Sequence, residues 1–94
     1  MKEFIEKVLT NQQININELS QFIVEYSELC GIKNTNAQHI QFAIQMIQQG
    51  MFSLQYAVDN YIEKSGLRVT ERLLDKNGVL IKVKIEKNAN NQEV

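Results

Sequence analysis

The stretch Leu67–Lys87, LRVTERLLDKNGVLIKVKIEK, decides how this chain closes. In its second half Val79, Ile81, Val83 and Ile85 alternate with Leu80, Lys82, Lys84 and Glu86, the period of two that marks a strand buried on one side. In its first half Leu67, Val69 and Leu73 alternate with Arg68, Thr70 and Arg72. A β-hairpin follows, and its two apolar sets must share a face. A two-residue Asn77-Gly78 turn would set Leu74 against Ile81 and carry Arg68 and Arg72 onto the apolar side, which burial forbids. A three-residue loop of Lys76, Asn77 and Gly78 avoids this, with Asp75 opening a type I turn and Gly78 in the left-handed bulge position. That loop pairs Leu73 with Ile81, Glu71 with Val83 and Val69 with Ile85 inside. Outside it pairs Arg72 with Lys82, Thr70 with Lys84 and Arg68 with Glu86. Two tensions remain in this register: Arg72 faces a like charge on Lys82, and Glu71 points toward the core.

Working back toward the N-terminus, Gly31, Gly50 and Gly66 are each followed at once by an apolar residue, the sequence sign of a helix stop. Starts lie at matching distances: Asn15 with Glu18 and Thr35 with Gln38 have capping-box spacing, and Ser53 suits a cap. Helices are predicted over Asn17–Cys30, Asn36–Gln49 and Leu54–Ser65, with a shorter one over Lys2–Leu9. In the first of these Leu19, Phe22, Ile23, Tyr26, Leu29 and Cys30 form a single apolar stripe. Cys30 is thereby expected to be a small buried hydrophobe. The last helix repeats the pattern with Leu54, Ala57, Val58, Tyr61 and Ile62. The middle helix differs: Ile40, Ala43, Ile44 and Ile47 make one stripe, while His39, Phe42 and Met46 make a second nearly opposite. Such a helix is either sandwiched inside the domain or exposed to a partner.

The expected fold class is therefore mainly α with a C-terminal β-hairpin, an α+β arrangement of three to four helices followed by two antiparallel strands. At 94 residues there is material for one core, so residues 1–87 are expected to form a single helical domain closed by hairpin 67–87, with 88–94 a disordered tail. Hydrophobic residues at 44% and charged residues at 22% suit a globular domain that folds without metal or disulfide. No apolar run approaches the roughly 20 residues of a membrane span, and Glu3 and Glu6 sit where a signal peptide would be basic. A cytoplasmic location without membrane attachment is expected.

Charge is divided unevenly along the chain. The hairpin carries six basic residues (Arg68, Arg72, Lys76, Lys82, Lys84, Lys87) against three acidic ones (Glu71, Asp75, Glu86), a formal +3. Residues 1–66 carry four basic residues against seven acidic, a formal −3, and Glu93 brings the chain to −1. A basic hairpin stands on acidic helices. Its cations either keep a strand edge soluble or face an anionic partner.

Helix, helix, short turn, helix, hairpin is also the order of elements in a winged helix-turn-helix domain, which the chain resembles in that order but in no signature motif. The resemblance implies that the helix Leu54–Ser65 would enter a DNA groove while the hairpin rests on phosphates. That helix offers Gln55, Tyr56 and Asn60, but also Asp59 and Glu63, and carboxylates oppose the counterion release that drives DNA binding.

Catalytic chemistry finds no footing. His39 is the one histidine, and no nucleophile, base and orienting group stand in a usable pattern. Cys30 alone builds neither a disulfide nor a thiolate metal site, Glu25 and Glu28 have no histidine near them, and no glycine-rich phosphate loop occurs. No catalytic, metal-binding or cofactor-binding residues are expected. The sequence points to a small non-enzymatic regulatory or adaptor protein that binds a protein partner, with homodimerisation through the second stripe of the middle helix open to it. His39, Phe42 and Met46 are the candidate partner-binding residues. Arg68, Arg72, Lys82 and Lys84 are the candidates for an anion or an acidic partner. A winged helix-turn-helix DNA-binding regulator using hairpin 67–87 is the second reading.

Overall fold

Apolar spacing and local caps set the helices of the computed structural model, which describes residues 1–87. Four helices, α1 (Lys2–Leu9), α2 (Ile16–Leu29), α3 (Ala37–Gln48) and α4 (Leu54–Ser65), precede an antiparallel pair, β1 (Leu67–Leu74) and β2 (Leu80–Lys87). The order is the mixed α+β arrangement expected from the sequence, and the tail 88–94 lies outside the described residues.

At the start of α2 the Asn15 side chain accepts from the Glu18 amide at 2.8 Å, and Glu18 accepts in return from the Asn15 amide at 3.4 Å, a closed capping box. Ser53 caps α4 through the Tyr56 amide. The expected cap at Thr35 is displaced by one residue: Asn36 accepts from the His39 amide at 3.0 Å, and the Thr35 hydroxyl is buried with no hydrogen-bond partner. Asparagine competes better than threonine for this position, which explains the shift. The ends of α2 and α3 are Schellman turns, in which Ile32 donates to Ser27 and Met51 donates to Met46.

The core is the space between α1, α2, α4 and the inner face of β2. Phe4, Ile5, Leu19, Phe22, Ile23, Ala57, Val58, Val83 and Ile85 are buried there. Phe22 stacks on Phe4 and Tyr26 with ring centroids 5.0 and 5.6 Å apart, and Asn60 donates to the Tyr26 hydroxyl at 2.6 Å. Helix α3 contributes no buried residue and packs on α2 at the margin of the core. Cys30, expected inside, is exposed: the helix stops at Leu29, and Cys30 becomes the cap residue leading into Gly31.

The hairpin keeps the expected loop but not the expected register. Gly78, at φ +81°, donates to the Asp75 carbonyl at 3.0 Å, and the Asp75 amide donates to Val79 at 2.9 Å, so the connection is Lys76, Asn77 and Gly78. Arg68 opposite Glu86 and Val69 opposite Ile85 stand as read from the sequence. Between them and the turn, two bulges intervene. Thr70 is an extra residue on β1 and Ile81 an extra residue on β2, so Glu71 faces Lys84, Arg72 faces Val83 and Leu73 faces Lys82. The pairs Leu73–Ile81, Glu71–Val83, Arg72–Lys82 and Thr70–Lys84 are thereby corrected. The first insertion turns Glu71 away from the Val83 side and brings Arg72 onto it, and both residues stay exposed. The second insertion restores the frame, and Leu80 packs against the core alongside Val83 and Ile85.

Candidate functional site

Two surfaces collect the residues singled out in the sequence. The first is the outward side of α3. Ile40, Ala43, Ile44 and Ile47 pack toward the core, while Phe42 is 64% exposed, His39 is exposed and Met46 is half-buried. The sandwiched alternative for α3 is therefore not the one adopted. The Schellman turn carries this face onward, because the Met51 amide is tied to the Met46 carbonyl and the Met51 side chain is 67% exposed. No Asp, Glu, Lys or Arg occurs between Lys33 and Asp59. Glutamines take the exposed places instead, and between α2 and α3 they line an open cleft of about 620 Å³ with Ile16, Ile40 and Ile44.

The second surface is the hairpin arm. Arg68, Arg72, Lys82 and Lys84 are all exposed, but the bulges divide them between the two faces. Opposed residues of an antiparallel pair project to the same side, so Arg72 shares the side of Val83 while Lys82 and Lys84 lie on the other with Leu73 and Glu71. Lys84 is partly neutralised by Glu86 at 3.3 Å. Arg72 and Lys82 reach a groove of about 710 Å³ between the arm and Glu6 of α1. Toward its tip the arm outruns the helices. Leu73, Leu74, Val79 and Ile81 are about half exposed there.

Asp59 and Glu63 give α4 an acidic outer side, and the spacing of Tyr56, Asp59 and Glu63 places them on one stripe. Tyr56 is 68% exposed. From the sequence Tyr56 is a candidate DNA contact of the second reading and Asp59 and Glu63 are arguments against it; the signal for a shared stripe is a large aromatic and two carboxylates at helical spacing. Within the charge-free run from residue 34 to residue 58, Phe42, Met51 and Phe52 are all exposed.

Elsewhere, burial and the neighbouring Glu25 carboxylate push the Tyr61 hydroxyl above its ordinary value, so its proton is held in place. The Lys7 ammonium, 3.1 Å from Glu18, holds that carboxyl below the usual range against the opposing effect of desolvation. The Lys7–Glu18 pair ties α1 to α2, and the Tyr61 ring packs on Phe22 with centroids 5.6 Å apart between α4 and α2. Among the described residues no cluster of His, Cys, Asp and Glu could hold a metal ion, and no helix is long and apolar enough to cross a membrane. No protein-family description, curated protein or solved structure matches this chain.

Proposed function

We propose that the chain is a small cytoplasmic regulatory or adaptor protein, without catalytic activity of its own, that works by binding a protein partner. The observation that supports this reading most directly is the outward side of α3, where Phe42 stands exposed in a stretch free of acidic and basic residues. The centres of protein interfaces are depleted in charge and enriched in aromatic residues and methionine, which describes Phe42, Met46 and Met51. Phe42 and Met46 act as the apolar anchors, with His39 beside them. Arg68, Arg72, Lys82 and Lys84 draw an acidic surface toward the arm. The test is capture of partners from the cells of origin on immobilised wild-type chain and on the Phe42→Glu variant. Proteins held by the first and lost from the second support the reading; identical sets on both refute it.

A winged-helix DNA-binding regulator is the second reading, favoured by the exposed cations of the arm. The carboxylates of α4 oppose it, as does the packing of α3 on α2 where a helix-turn-helix pair would pack on itself. Retention on DNA at low salt that weakens steeply with ionic strength, with a flatter slope after Arg72→Ala and Lys82→Ala, would establish it. No retention at low salt removes it.

A further inference from the structure

We infer that the hairpin arm docks on the outer side of α4 of a second copy of this chain, forming a two-fold dimer in which each copy gives its arm and receives its partner's. Two surfaces of the one chain complement each other in both charge and apolarity. On the arm tip, Lys76 and Lys82 make no ion pair among the described residues, and Leu73, which shares the Lys82 side, is about half exposed beside them, as are Leu74, Val79 and Ile81 near the turn. The one acid at the tip, Asp75, is occupied in the turn, where its carboxylate accepts from the Asn77 and Val79 amides. On α4, Asp59 and Glu63 are likewise without an ion pair among the described residues, and the exposed Tyr56 continues their stripe.

Within one copy no ion pair joins the two surfaces among the described residues. The arm leaves α4 directly at Gly66 and extends for eight residues per strand, about 26 Å at the usual rise. In a second copy related by a two-fold axis the contact is made twice, and the assembly closes at two chains. A formal charge of −1 per chain leaves little long-range repulsion to oppose this.

The inference deepens the partner-binding reading, on which it rests in taking the arm as a docking element, and it uses residues other than the α3 anchors. It is tested by the mass of the protein in solution, measured by light scattering over a range of concentrations reaching several hundred micromolar. Two charge-reversed variants are compared with wild type: Lys76→Glu with Lys82→Glu on the arm, and Asp59→Lys with Glu63→Lys on the helix. Wild type is expected at the mass of two chains, and each variant alone at the mass of one, a loss of affinity of roughly tenfold or more. Mixed one to one, the two variants are expected to recover the dimer, because each reversed arm then meets a reversed helix and each native arm a native one. A folding defect cannot produce that recovery.

A wild-type monomer throughout, a dimer indifferent to both reversals, a mixture that stays monomeric, or assemblies that grow beyond two chains would each overturn the inference. If either reversal unfolds the chain, Lys76→Gln with Lys82→Gln replaces it, and unchanged dimerisation is then the contrary result. Partner capture that still depends on Phe42 would leave the adaptor reading standing whichever way the mass falls.

Discussion

Glu71 faces Lys84 across the hairpin, one residue out of step with the pairing that strict alternation gives. The bulge at Thr70 sets Glu71 opposite Lys84 instead of Val83, the Lys84 ammonium pairs with Glu86 at 3.3 Å, and the Thr70 hydroxyl donates to the Lys84 carbonyl at 3.3 Å. Opposite charges directly across a ladder couple by about 0.2–1 kcal/mol. A double-mutant cycle of Glu71→Ala and Lys84→Ala, followed by urea unfolding, is expected to show coupling in that range. Zero coupling would return Glu71 to the unbulged register.

Phe22 and Phe42 separate the core from the surface. Phe22 is 1% exposed and lies between the rings of Phe4 and Tyr26. Its truncation to alanine is expected to cost about 3–5 kcal/mol. Phe42→Ala is expected to change stability by no more than about 0.5 kcal/mol, as is usual for a surface side chain. A large loss at Phe42 in the same unfolding experiment would place the second stripe of α3 in the core and withdraw its role as an anchor.

The ion pair between Lys7 and Glu18 gives the acid side of the stability curve a definite sign. Because the folded state holds the Glu18 carboxyl below its ordinary value, chiefly through its hydrogen bond with Lys7, the contribution is present above an unfolded value of about 4.3 and is lost as pH falls through the lowered one. Lys7→Met is therefore expected to be less stable than wild type near neutrality, and the two curves are expected to converge in acid. A difference that persists unchanged at low pH would assign the effect to packing of the lysine stem.

How much of this was legible in the sequence differs by element. Helices α1 and α4 have the bounds their apolar spacing gives, because each buries one stripe against a nearby neighbour, and strand β1 has the expected bounds although only Leu67 and Val69 of its stripe pack on the core. The middle of the hairpin was not legible, since alternation carries no mark of an inserted residue. Cys30 misled for a related reason: it continues the α2 stripe by spacing but falls one residue past the helix end. At α3 two stripes were visible, and only the arrangement of its neighbours shows which is covered. The complementarity of the arm with α4 lay in the residues from the start, but the free ends of those charges are a property of the folded chain.

The turn that carries the arm tip rests on Asp75 and Gly78. The Asp75 carboxylate accepts from the Asn77 amide at 2.8 Å and the Val79 amide at 3.0 Å, and Gly78 takes a left-handed conformation with open space where a Cβ would stand. Gly78→Ala therefore meets no clash, and its cost is the backbone preference alone, about 1–2 kcal/mol. Asp75→Ala removes an acceptor for two amides at a solvent-exposed turn and is expected to cost about 1 kcal/mol, whereas Asp75→Asn keeps an oxygen in the same place and is expected to retain most of the stability. These costs fall on the end of the arm and not on the core, so the expected signature is faster amide hydrogen exchange at Asn77, Val79 and their neighbours with little change at Val83 and Ile85. Uniform acceleration along both strands would show instead that turn and core unfold as one unit, and the arm would then be no independent element for a partner to grasp.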